Sequence, residues 1–128
     1  MKITFYIFCM CSQFTFCQTQ TEMNLSAAKE LKQSDSRIIS LMTKIENERK
    51  EDTLFISNLR KSQTAWLNWR ELEINAYFPA YENEEKGTMY SWCYNTQILK
   101  WNKARINQLK EYLLDASDFE DGCSPGSW

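Results

Sequence analysis

The chain has 128 residues, 43% of them hydrophobic and 14% aromatic, with a formal charge of −2 and no histidine. That length fits one domain. The charge balance argues against a nucleic-acid binder, which needs a cationic face for the phosphates. The missing histidine removes the commonest general base and the commonest zinc ligand together.

With only three Gly and two Pro in the whole chain, few positions can interrupt a helix. The expected fold is all-α: a small bundle of three long helices, the first kinked or broken, with an irregular C-terminal tail. The expected division is a leader over 1–17, a helical domain over 18–115 and a tail over 116–128.

Residues 1–17, MKITFYIFCMCSQFTFC, have the layout of a secretory signal peptide. Lys2 is a short positive start, 3–10 is an apolar run with a single Thr, and Ser12 and Gln13 begin a polar exit. Thr15 and Cys17 then stand at −3 and −1 before Gln18. The competing reading is a buried first strand, ITFYIF, but the sequence beyond it turns helical and polar and offers no second strand. The run is too short to span a bilayer, which takes about 20 residues. A variant makes Cys17 the lipidated first residue of a lipoprotein, although Phe16 stands where that processing wants a small residue. The expected location is therefore the periplasm or the cell surface, with no transmembrane segment in the mature chain.

Lys2 is the only charge before Gln18, so the chain from Gln18 onward carries −3. Such a surface attracts a basic partner. Cleavage also removes Cys9, Cys11 and Cys17 and leaves Cys93 and Cys123, an even number in an oxidising compartment. A bridge between them would close a loop of about 30 residues and contribute about 3–4 kcal/mol in the chain-entropy model. The alternative is two unpaired thiols.

Residues 22–48 carry the first helical pattern. Leu25, Ala28, Leu31, Ile38, Leu41 with Met42, and Ile45 fall on one stripe,. Ser34 and Asp35 form a polar gap, and Ser34 or Ser36 could begin a second segment, so a kink or break is expected near 33–36. The polar run NERKED, 47–52, is either a solvated turn or the connection to the next helix.

The second helix is expected over about 52–77. Its apolar side is Leu54 with Phe55, Leu59, Trp66, Ile74 and Tyr77, and Pro79 marks its end. Gln63 and Arg70 lie on the same face one turn either side of Trp66, where a plain core helix would carry Leu or Ile. The structural account is that Arg70 stacks on Trp66 and pairs with an acid from a neighbouring helix, because buried polar groups must be satisfied.

The stretch 79–92, PAYENEEKGTMYSW, is irregular. Aromatics beside acids on a loop suit a partner surface, with Glu82, Glu84 and Glu85 supplying charge and Met89, Tyr90 and Trp92 supplying apolar anchors. Alternatively the aromatics fold back over the helix ends. A third helix is expected over about 94–114, with Ile98, Trp101, Arg105, Leu109 and Tyr112 with Leu113 on one face. Arg105 either meets an acid inside the bundle or snorkels past apolar neighbours. The tail, rich in Ser, Asp, Gly and Pro, is irregular.

There is no Gly-rich phosphate loop, no HExxH, no CxxC and no Ser–His–Asp set,. Glu71 and Glu73, two apart on a helix, do not face each other, and a glycosidase needs two carboxyls held across a cleft. A non-enzyme with no cofactor and no metal is expected.

Taken in order, the segments Glu22-Met23-Asn24, Asp35, Ser62-Gln63, Ala65-Trp66, Arg70, Gly87-Thr88-Met89-Tyr90, Tyr94-Asn95 and Arg105 to Leu109 resemble the LprI-type lysozyme-inhibitor domain, a small exported bacterial family. The resemblance covers about 20–113 and makes Gln63, Trp66, Arg70 and Arg105 the motif core. It implies a helical protein that blocks a lysozyme by occlusion. The alternative is a helical envelope module with a different protein partner. The family usually has cysteines where this chain has Ser26, Ile74 and Gln97. A bridge lost as a pair is one reading of that, with Cys93 and Cys123 as a replacement staple.

Overall fold

In a computed structural model the chain forms three helices, and no strand occurs among the described residues: α1 (Thr4–Glu48), α2 (Thr53–Tyr77) and α3 (Tyr90–Glu111). The structure describes residues 4–80, 86–115, 118, 119 and 125, with side chains from residue 19 onward.

The boundaries have local causes. Asp52 caps α2, its carboxylate accepting from the Phe55 N–H at 2.9 Å, which satisfies one of the orphan donors of the first turn. At the other end the Phe78 N–H donates back to the Ile74 carbonyl at 2.9 Å, and Pro79 follows as the stop. α3 begins one turn earlier than the spacing predicts. The Tyr90 N–H closes on the Gly87 carbonyl at 2.9 Å and the Cys93 N–H on the Met89 carbonyl at 3.0 Å.

The break expected at 33–36 does not occur. α1 runs unbroken through it. The Ser34 hydroxyl donates to the Leu31 carbonyl at 2.7 Å and the Ser36 hydroxyl to the Lys32 carbonyl at 3.0 Å. Each side chain folds back onto its own helix instead of capping a new one.

Cross-helix bonds fix the topology. Asn102 meets Ser34, and Tyr112 meets Arg49, so α1 and α3 run parallel. Arg70 meets Asp35 and Arg60 meets Glu46, so α2 runs against α1. α1 and α3 pack closely along their length, while α2 stands further off and reaches the pair through Trp66 and its long polar side chains.

The core gathers Ile38 and Ile45 from α1, Leu59 from α2, and Ile106 and Leu109 from α3. Leu41, Met42, Phe55, Trp66, Tyr112 and Leu113 pack around it. The apolar stripe of α1 therefore differs from the predicted one at its start. Leu25 is 66% exposed and Ala27, not Ala28, is buried. On α2, Leu54 and Tyr77 also face out, whereas Leu59 and Ile74 are buried.

Arg49 closes the end of the bundle where α1 turns into α2. Its guanidinium donates to the Tyr112 carbonyl at 3.3 Å and to the Pro125 carbonyl at 2.9 Å, and lies 4.6 Å from the centre of the Phe55 ring. One side chain thus satisfies a carbonyl at the end of α3 and holds part of the tail against the core.

Candidate functional site

Two features of the bundle are unlike an ordinary apolar core. The first is a polar seam through all three helices. Asn102 is fully buried. Its amide nitrogen donates to the Ser34 hydroxyl at 2.7 Å and to the Asp35 carboxylate at 2.9 Å, and its amide oxygen accepts from Arg70 at 2.6 Å. Arg70 also donates to Asp35 at 2.7 Å. The four side chains come from three helices and satisfy one another, which is what makes their burial tolerable.

Trp66 sits beside this seam against the core. The Arg70 guanidinium lies 5.1 Å from its ring centre and that of Arg105 lies 5.8 Å away, both within cation–π range. The expected acid partner of Arg70 is Asp35. Arg105 meets no carboxylate among the described residues. It is buried and donates to Gln63 at 3.0 Å, to Ser62 at 3.3 Å and to Gln108 at 3.3 Å. Burial lowers its pKa, with Tyr112 acting in the opposite direction, yet a guanidinium remains charged at any ordinary pH. Gln63, Trp66, Arg70 and Arg105 therefore form one connected group between helices.

The second feature is a run of aromatic rings on the α2–α3 side. Trp69 and Tyr77 each lie edge-on to Trp101, at 5.3 Å and 5.7 Å between ring centres. Tyr77 continues to Phe78 at 6.2 Å, and Phe78 to Tyr90 at 5.6 Å and Tyr94 at 5.8 Å. Trp69 is 44% exposed, Tyr77 59%, and neighbouring Leu72 67%.

The proposed partner anchors are only partly brought together. Met89 is exposed at the start of α3. Tyr90 packs on Phe78 and Tyr94 with the Lys86 ammonium 4.5 Å from its ring centre. Trp92 is half-buried two positions along the same helix, and at about 100° per residue the two side chains diverge. Glu82, Glu84 and Glu85 lie outside the described residues, as does Cys123. Cys93 is half-buried with a free thiol. Of the positions where the resemblance led to cysteine being expected, Ser26 is exposed and bonded to Glu30, and Ile74 is buried. Gln97 is half-buried.

Two open grooves flank α3. One, of about 580 Å³ on the α2 side, is lined by Glu111 among the described residues; the other, of about 840 Å³ on the α1 side, by Glu30. Among the described residues neither brings two carboxyls face to face, as glycoside hydrolysis would require,.

Sequence reasoning missed Asn102, whose partners lie more than sixty residues away, and the Trp69–Trp101–Tyr77 trio. An exposed Trp one turn from Glu73 was the available signal for the second.

The described residues thus form a small all-helical bundle with a satisfied polar seam and an aromatic outer face. The model of the lysozyme inhibitor LprI family matches residues 11–109, and the chain belongs to that family. No curated protein and no solved structure matches the chain.

Proposed function

We propose that the protein is exported and binds a lysozyme, blocking it by occlusion rather than by any chemistry of its own. The observation that carries this reading is the family match, which spans the whole polar seam and the aromatic face. The residues support it physically. The chain is acidic, and lysozymes are commonly basic, so electrostatic attraction steers the encounter. An occluding contact buries about 1,600 Å² and depends on a few aromatic anchors. Met89 and Tyr90 at the start of α3, Trp92 two positions further along it, and Glu82, Glu84 and Glu85 are the proposed contacts.

Residues 1–17 are the proposed export leader. No helix among the described residues is long and apolar enough to cross a membrane.

The test is clearing of a cell-wall suspension by several lysozymes in the presence of the purified protein. Inhibition of at least one at micromolar protein is expected. No inhibition of any at that excess removes this function. Retention of an unrelated envelope protein on the immobilised chain would then favour the helical interaction module instead.

A further inference from the structure

Trp69, Glu73 and Tyr77 follow one another at single turns on α2, so their side chains form one row. The two outer members both rest edge-on against Trp101 of α3, at 5.3 Å and 5.7 Å. Glu73 lies between them and is half-buried. It has no ion pair and no hydrogen bond among the described residues, whereas Asp35 and Glu46 are each paired with an arginine. Ala65, Leu72 and Ala76 on α2 and Ala104 on α3 are exposed around the row, and Arg70, three positions before Glu73, is engaged by Asp35 and Asn102.

Glu73 thus carries a full negative charge one turn from each of two rings, with no ion-pair partner among the described residues. Rings present a negative face to a cation, and the carboxylate adds a full charge at the same place. The combination fits a guanidinium or ammonium better than an apolar or an anionic group. Exposed Trp69, Leu72 and Tyr77 also match the aromatic and apolar enrichment of an interface centre,.

We propose that Trp69, Glu73 and Tyr77, backed by Trp101, form the anchor surface for a basic protein partner and receive an arginine or lysine side chain from it. The proposal rests on the lysozyme reading for the identity of that partner and adds where it docks. The surface is continuous with Tyr90 through Tyr77 and Phe78, so it extends the contact region at the start of α3 along α2.

The test measures binding of a basic lysozyme to the purified protein by titration calorimetry at low and at moderate salt. Glu73→Gln keeps the shape and removes the charge. It is expected to weaken binding about tenfold and to flatten the salt dependence. Trp69→Ala is expected to weaken binding by about tenfold or more. Glu71→Gln, two positions away on a different face, is expected to bind as the unaltered chain does. Helical content by circular dichroism checks that each variant is folded, and Glu73→Gln alone decides the matter if Trp69→Ala does not fold. Unchanged affinity and salt slope in folded Glu73→Gln overturn the anchor surface and leave the lysozyme reading standing. Failure of the unaltered chain to bind any lysozyme overturns that reading, and the partner assigned to this row falls with it.

Discussion

Arg70 on α2 and Asp35 on α1 meet at 2.7 Å, and the same guanidinium nitrogen bonds the buried Asn102 of α3 at 2.6 Å. One arginine thus joins all three helices at a single level of the bundle. The arrangement sets the rotation of each helix about its own axis, since turning any of them leaves a buried donor or acceptor without a partner. Such an orphan costs about 1–3 kcal/mol.

The first prediction concerns that level. Asn102→Leu removes three hydrogen bonds and leaves Ser34 and Arg70 short of a partner. A loss of about 2–3 kcal/mol is expected, read as a lower urea midpoint. Asp35→Asn keeps an acceptor for Arg70 and should cost less.

Trp66 offers the second. It packs on the core and lies within reach of two guanidinium groups. Trp66→Ala is expected to cost about 3 kcal/mol or more, a large part of the 5–15 kcal/mol typical of a small domain. Trp66→Phe keeps a ring for the cations and should cost about half as much. Thermal unfolding followed by circular dichroism compares the two.

Arg105 gives the third. Its Nε donates to Gln63 and a terminal nitrogen to Ser62, a forked geometry that an ammonium cannot reproduce. Arg105→Lys should therefore destabilise by about 1–2 kcal/mol, although the charge is kept. Equal urea midpoints for the two chains would mean that charge alone matters there.

A pH dependence follows from Glu46. Its two carboxylate oxygens accept from Arg60 at 2.8 Å and 2.7 Å, and this hydrogen bonding lowers its pKa from the ordinary 4.5. A carboxyl with a lowered folded pKa adds stability above its ordinary value and loses it as the pH falls through the folded one. The unaltered chain should thus melt above Glu46→Gln at neutral pH, and the gap should close as the pH drops below about 4.5. The pair lies on the surface, so added salt should narrow the gap as well.

The proposed leader yields the last prediction. A chain starting at Gln18 should give the same urea midpoint as the full chain. A clear loss would mean that the upstream part of α1 contributes to the fold.

Much of this was legible from residue order. The span of α2, the stop at Pro79 and the stacking of Arg70 on Trp66 all depend on residues within a few positions of one another. Local spacing and backbone chemistry decide such things before any tertiary contact forms. The acidic charge and the lack of histidine likewise belong to composition.

Tertiary structure decided what depends on register and rotation between helices. The sequence called for an acid beside Arg70, but only packing selected Asp35 and brought Asn102 to both. Ser34 and Ser36 looked like a helix start, and their hydroxyls instead fold back along α1, where Asn102 makes use of the first. Tyr77 belonged by its spacing to the apolar side of α2, yet the gap between α2 and the α1–α3 pair left it outside with Trp69 and Glu73. The cause in each case is the same. A side chain's surroundings are set by what a second helix presents at that height, and one helix's own periodicity carries no information about its neighbour's.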